Sequence, residues 1–400
     1  MRLLMVAMQF PVEPGQSYLT TELADALVVA GHEVEVLHLD WAAALGAPTR
    51  TFFTDSGVRV VRCAPRALGG PSLLRNASKF VLSGRHAARV AWRNFDLESF
   101  DALIAWMPAI VIAPLLPLIR RARVKHRLLF IWDFFPDHHR EIGRIPGGLP
   151  FRVARWWEQR QIDRFTAIVC TLPGNEAYLR DHYRVRADQR VLVTPVWADT
   201  APLPPVDRAA VRRQYDLPSD APIAVFGGQL VEGRGFDQML GAAGAGRAAG
   251  SPLRYLFVGD GRLAPMIREQ AAAADNVLYR PPLTRVDYLT LLGACDVGMV
   301  ATVPGVTSFS IPSKTIDYLR AGLPVVAAVE HGNDFAAILE SYRVGRTVPF
   351  GDSTGFHRTA ELLAADTTIR EKARMNAPRC LDDVFDVRHA VATIEAATQP

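Results

Sequence analysis

Along the first 200 positions, unbroken apolar runs alternate with stretches of helical period. Leu3–Met8 is one such run, the pattern of a strand buried on both faces of a parallel sheet. After a loop at Gly15-Gln16-Ser17, residues Leu19, Leu23, Ala26, Leu27 and Ala30 recur at helical spacing, and Gly31 stops that helix. Glu33–Leu39 alternates as a second strand. Further strands are expected at Val58–Cys63, Ala102–Ala105, Arg127–Trp132, Ala167–Thr171 and Arg190–Thr194, and a long helix at Leu149–Phe165. A strand, a crossover helix and a parallel strand form a right-handed unit of an open, doubly wound α/β sheet.

The alternation stops at Pro195–Pro205, where four prolines predict a stiff linker, and then restarts. Strands are expected at Ile223–Gly227, Arg254–Gly259, Val277–Tyr279, Val297–Val300 and Val325–Val329, with helices Phe236–Ala249, Arg262–Ala274 and Arg285–Ala294 between them. The pattern predicts a first domain over residues 1–195, a linker over 196–222 and a second domain over 223–375. A C-terminal helical segment over 376–400 would cross back to the first domain. Two such halves predict a cleft between them, with ligands at the carboxyl ends of the strands.

Composition narrows the class. The chain has 400 residues, 49% hydrophobic and 22% charged, as in ordinary globular proteins. No apolar run approaches a membrane span, and the start of the chain lacks a signal-like apolar stretch. Four scattered cysteines form no CxxC and read as reduced core thiols of a cytoplasmic protein. The net charge of +4 is a balance of +6 over residues 1–200 and −2 over 201–400. Between Asp55 and Asp96 there are eight basic residues and no acid, with Phe80, Val81, Leu82, Val90 and Trp92 interleaved. That mixture predicts a peripheral contact with anionic lipid. The excess is too modest, and the motifs too different, for nucleic-acid binding.

Candidate chemistry sits at strand ends. Gly15, Gly228, and Gly259 with Gly261 mark loops whose backbone N–H groups can close on a diphosphate. Arg234 lies at the second of these loops, where its guanidinium can fork onto phosphate oxygens. Ser313 and Lys314 open a predicted helix, and a lysine set against the helix dipole there points to an anionic ligand. Asp317 follows on the same helical face. No paired-aspartate metal motif is present, so Lys314 and Arg234 would supply the positive charge a metal would give.

Several segments carry a resemblance. They are Phe10-Pro11-Val12-Glu13-Pro14-Gly15, Gly31-His32-Glu33-Val34, Phe257-Val258-Gly259-Asp260-Gly261, and Pro312-Ser313-Lys314 with Asp317-Tyr318-Leu319-Arg320-Ala321-Gly322-Leu323-Pro324. In them the chain resembles the retaining, family-4-like glycosyltransferases of GT-B fold, most closely a branch of bacterial envelope-polysaccharide enzymes. The resemblance covers nearly the whole chain and implies two Rossmann-like domains. It also implies a hexosyl or N-acetylhexosaminyl transfer from a nucleoside-diphosphate sugar, UDP favoured, to an acceptor sugar or lipid-linked saccharide, at the inner face of the cell membrane. In that reading the donor contacts include Gly15, Gly228, Gln229, Arg234, Gly259, Gly261, Arg280, Pro282, Ser313, Lys314 and Asp317. Asp317 would hold the ribose, and backbone near Tyr279–Leu283 would read the base.

The chain also departs from the family. Gln229 stands where an arginine is common, and the family's glutamate pair is replaced by Phe309 and Asp317. Asp133 or Asp137 would take the place of a histidine common among relatives, as the catalytic carboxylate. Two other readings use the same fold: a sugar-nucleotide epimerase, which needs more cleft carboxylates, and a non-catalytic nucleotide-sugar binder.

Overall fold

The computed structural model describes residues 1–11, 18–69, 72–141, 143, 145–302, 311–329 and 334–399, and of residues 72–77 the backbone alone. The chain divides into two compact units. One is built from Met1–Ala198 with Val387–Pro400, the other from the described residues between Asp199 and Asp386.

The first unit holds β1 (Arg2–Ala7), β2 (Glu33–Leu39), β3 (Arg50–Phe53), β4 (Arg59–Cys63), β5 (Ala102–Trp106), β6 (His126–Ile131), β7 (Ala167–Cys170) and β8 (Arg190–Val193). Their order is β3-β4-β2-β1-β5-β6-β7-β8. β1 lies centrally, Leu3 level with Val34 of β2 and Ala102 of β5, and it is buried almost throughout. That is why it reads as an uninterrupted apolar run. Every pairing is parallel except the edge pair β3–β4. The sequence pattern misses β3, because Arg50-Thr51-Phe52-Phe53 is largely solvent-exposed and has no core face to announce it.

The second unit holds β9 (Ile223–Gly227), β10 (Arg254–Val258), β11 (Val277–Arg280), β12 (Val297–Ala301), β13 (Val325–Val329) and β14 (Gly345–Pro349), in the order β11-β10-β9-β12-β13-β14 and parallel throughout. Both sheets place their loop-borne polar residues at strand carboxyl ends, as doubly wound folds do.

Two boundaries differ from the expected ones. Residues 199–222 are folded into the second unit. There Asp207 caps the helix Arg208–Gln214, and Arg208, Arg212 and Arg370 converge on the buried carboxylate of Asp296 at 2.8, 3.0 and 2.9 Å. The expected long C-terminal helix is two helices. Thr367–Cys380 stays with the second unit, whereas Val387–Thr398 joins the first. The chain turns between them at Asp386, which is extended. Arg190 holds the last helix by donating to the carbonyls of Ala396 and Gln399.

Candidate functional site

In the second unit, the chain leaves β9 through Gly228, whose φ of +130° only glycine adopts readily and whose missing Cβ would face open space. This loop packs against the one after β10. Gly228 N donates to Val258 O at 3.0 Å, and Leu230 N to Asp260 O at 2.8 Å. A Cβ on Gly259 would lie 1.9 Å from Gly228 O, and one on Gly261 2.4 Å from Leu230 O. Gly259 and Gly261 are therefore glycine so that two loops can touch, and the phosphate-cradle reading of that pair is corrected on this point. Gly228 keeps the open approach a phosphate needs. Gly15 lies outside the described residues, as does Phe309.

Lys314 begins the helix Lys314–Arg320 and places its ammonium 4.7 Å above the ring of Phe226, the penultimate residue of β9. Among the described residues it makes no ion pair or hydrogen bond. Burial, and then the nearby guanidinium of Arg234, push its pKa down to about 7, against a weaker upward pull from Asp317. Arg234 is exposed and likewise unpaired among the described residues. Two cations beside an open glycine loop form a receptor for an anion. Gln229, just past β9, and Ser313, just before the helix Lys314–Arg320, are exposed.

Asp317, expected to hold a ribose, already has a side-chain partner on each of its oxygens. Arg285 grips it through two contacts of 2.6 Å, one to each carboxylate oxygen. Sequence reading missed Arg285, although the signal that singled out Lys314 was there: a cation in the first turn of a helix, after the capping residue Thr284. Arg280 is also committed elsewhere, because its guanidinium donates to the carbonyls of Tyr215, Tyr279 and Asp216. Its side chain braces the backbone and is withdrawn as a donor contact. Pro282 is exposed just beyond β11. Two tyrosines fill the space that glycines leave at the sheet: Tyr318 covers Gly298, and Tyr288 covers Gly227.

In the first unit the two candidate carboxylates part company. Asp133 lies exposed just past the end of β6. Asp137 is buried, with Arg155 at 2.5 Å and the hydroxyl of Tyr183 at 2.6 Å on its two oxygens. Tyr183 is pushed up by burial and by that carboxylate. Asp137 thus anchors the helix Leu149–Ile162 and is withdrawn as the catalytic carboxylate. Beside Asp133 stand Trp132 and Trp106, their rings 5.6 Å apart, and both indole N–H groups are buried without a partner among the described residues. Sequence reading also missed Glu158, fully buried, which accepts from the backbone N–H of Ala109 at 2.5 Å and of Ile110 at 2.8 Å. Burial pushes its pKa up to about 8 against the pull of those two donors.

The basic stretch between Asp55 and Asp96 does not form one face. Arg59 pairs with Glu35, Arg62 with Asp40, and Lys79 lies over the ring of Trp41. Arg85, Arg89, Trp92 and Arg93 remain exposed on the helix Ser72–Asn94. Among the described residues no three metal-binding side chains cluster, and no helix is long and apolar enough to cross a membrane.

Residues 15–197 match the model of the glycosyl transferase 4-like domain. A putative colanic acid biosynthesis glycosyl transferase, WcaI of Escherichia coli (strain K12), is 24% identical over 348 residues, 81% of this chain and 82% of that protein. Among solved structures, WaaG, a glycosyltransferase involved in lipopolysaccharide biosynthesis, has a TM-score of 0.65 at 14% identity, over 98% of this chain and 99% of WaaG. An E. coli protein described as trehalose-6-phosphate bound with UDP-2-fluoro glucose has a TM-score of 0.70 at 13% identity, over 100% and 99%. The chain has the GT-B fold of these solved structures, and residues 15–197 are similar to the glycosyl transferase 4-like domain.

Proposed function

We propose that the chain transfers a hexosyl or N-acetylhexosaminyl group from a nucleoside-diphosphate sugar to an acceptor hydroxyl of an envelope polysaccharide precursor, with retention of anomeric configuration. The observation that carries the donor assignment is the Lys314 ammonium, without an ion-pair or hydrogen-bond partner among the described residues, beside Arg234 and the open loop at Gly228. As the sugar leaves, charge grows on the departing diphosphate, and fixed cations stabilise it most in the transition state. UDP is the favoured nucleotide, since one structural neighbour is described with UDP-2-fluoro glucose and another with UDP. Lys314 and Arg234 do electrostatically what a divalent ion does elsewhere, so transfer should persist in a chelator.

The first unit holds the acceptor. Asp133 is exposed there and makes no ion pair among the described residues, and the rings of Trp106 and Trp132 offer a surface on which a sugar can stack. Colanic acid and lipopolysaccharide in the names of similar proteins favour a lipid-borne saccharide, met at the inner face of the cell membrane.

The test is titration with UDP and with uridine, followed by transfer from a labelled donor. Lys314→Ala should weaken UDP binding and leave uridine binding nearly unchanged. Asp133→Asn should lower kcat with UDP affinity retained. Equal effects of Lys314→Ala on both ligands would remove the donor assignment, and inversion at the anomeric carbon by NMR would remove the retaining mechanism. Release of a free epimerised sugar nucleotide, or binding with no turnover, would favour the epimerase or binder reading.

A further inference from the structure

The second unit carries a cleft away from the donor loops. Asp296 immediately precedes β12 and Pro324 immediately precedes β13, so the cleft lies at the amino ends of these strands. Gly228, Arg234 and Lys314 follow the carboxyl ends of β9 and β12. The cleft has a volume of about 720 Å³, within the range of small-molecule sites.

One wall is the run Pro202-Leu203-Pro204-Pro205. Leu203 N donates to Arg320 O at 3.1 Å, and Arg320 Nε donates to Ala201 O at 2.8 Å, which staples this run to the helix Lys314–Arg320. Three prolines leave the wall little freedom, so it is preformed. Leu289, Leu319 and Leu323 give the cleft an apolar part.

The helix Thr367–Cys380 lines the cleft with Thr367, Arg370, Glu371 and Arg374. Their spacing of i, i+3, i+4, i+7 makes one helical face, and two arginines four apart on it repel each other. Arg208, Arg212 and Arg370 already share the one buried carboxylate of Asp296. The Nε of Arg370 is buried with no hydrogen-bond partner among the described residues. Arg374 lays its stem over Gly322, where a Cβ would meet its Cγ at 2.7 Å, and among the described residues its guanidinium makes no ion pair. Arg320 is matched by Asp199 at 2.9 Å. The remaining four guanidiniums face the carboxylates of Asp296 and Glu371, an excess of two positive charges. Half-buried cations without a matching anion give up hydration that nothing returns.

We infer that this cleft binds a small organic phosphate monoester, its phosphate held by Arg370 and Arg374 and its body packed against Leu323 and the proline run. Two uncompensated charges match a dianion better than a single carboxylate, and the guanidinium fork fits phosphate oxygens. The site goes beyond the transferase reading and does not rest on it.

The test is isothermal titration calorimetry of the whole chain with phenyl phosphate, at a pH well above its second ionisation near ~6. Wild type and Lys314→Ala should bind it alike, because the donor-loop cation lies at the other end of the strands. Arg374→Glu should weaken binding about tenfold or more, the scale of a lost charge-assisted contact. Arg374 is exposed, so thermal melting and UDP affinity should match the wild type. Glu371→Gln removes a carboxylate from the same face and should tighten binding. Benzyl alcohol, with the ring but no charge, should bind at least about tenfold more weakly than phenyl phosphate, and benzoate should fall between them.

No binding of phenyl phosphate at millimolar concentration would overturn the inference. So would binding that is lost in Lys314→Ala, which puts the anion at the glycine loop, or binding unchanged in Arg374→Glu. If Arg374→Glu unfolds, Glu371→Gln decides, and unchanged or weaker binding there counts against the site. Equal binding of benzyl alcohol reduces the cleft to an apolar groove, and tighter binding of benzoate removes the phosphate assignment. UDP titration is read separately: its failure sinks the donor reading and leaves this site standing.

Discussion

Arg285 and Asp317 form a bidentate pair, each guanidinium nitrogen 2.6 Å from its own carboxylate oxygen. The pair joins the first turn of the helix Arg285–Leu292 to the first turn of the helix Lys314–Arg320. Lys314 lies one turn before Asp317, so the clamp fixes the helix that presents the ammonium.

Removing one partner leaves the other charge half-buried and unmatched. Arg285→Ala should cost about 2 kcal/mol, below the 3–5 typical of fully buried pairs because the arginine is part-exposed. Arg285→Ala with Asp317→Ala should be more stable than either single variant. Thermal denaturation of the three variants checks this, and unchanged melting in both single variants would show that the pair contributes nothing. UDP affinity should fall in the single variants, because the helix that presents Lys314 loses its clamp.

Lys314 gives a pH dependence with a definite sign. Its folded pKa of about 7 lies below its unfolded value of 10.5, so the unfolded chain binds the extra proton between those limits. From this group, stability should rise as pH climbs from about 7 towards 10. Diphosphate binding runs the other way, because the anion needs the ammonium. UDP affinity should be greatest below pH 7 and fall as pH rises through it, with proton uptake on binding above pH 7. Calorimetry in buffers of different ionisation enthalpy measures that uptake. A profile as steep in Lys314→Met as in the wild type would assign it to another group.

Much of the fold was legible because parallel strands buried on both faces are written as apolar runs, as in β1 and β13. Elements without a core face were not, β3 being the example. At the site, Lys314 and Arg234 were readable because a cation against a helix dipole or in a glycine loop stands out locally. What partner a charge takes was not readable. Asp317 with Arg285, Asp137 with Arg155, and Arg280 with the carbonyls of Tyr215 and Asp216 join positions between 18 and 65 residues apart. Phosphate chemistry and loop packing also ask for the same residue, so Gly259 and Gly228 looked alike until the carbonyl opposite Gly259 was seen.

Gly259→Ala separates those two uses of glycine. Its φ of +145° and the 1.9 Å approach to Gly228 O leave a methyl group no room, and the obstacle is backbone. The change should cost about 1–3 kcal/mol in strain, or shift the Gly228 loop. UDP affinity should drop with it. Gly228→Ala has open space at its Cβ and pays only for its φ of +130°. Equal stability of Gly259→Ala and wild type would remove the packing argument.

Glu158 gives the opposite sign to Lys314. Its folded pKa of about 8 lies above the ordinary 4.5, so between these limits the folded chain holds the extra proton. The contribution of this group to stability is full below about pH 4.5 and is lost as pH rises through 8. Two backbone N–H groups at Ala109 and Ile110 soften the penalty without cancelling it, since a carboxylate removed from water gives up more hydration than two donors return. Glu158→Gln keeps the shape and one acceptor but cannot ionise. Its stability should vary less between pH 6 and pH 9 than that of the wild type, by denaturant titration at each pH. The variant should be slightly less stable at pH 6, where one N–H loses its acceptor, and should close the gap or overtake at pH 9, where the wild type carries a buried charge. Parallel profiles for the two proteins would mean that Glu158 keeps one protonation state throughout the range.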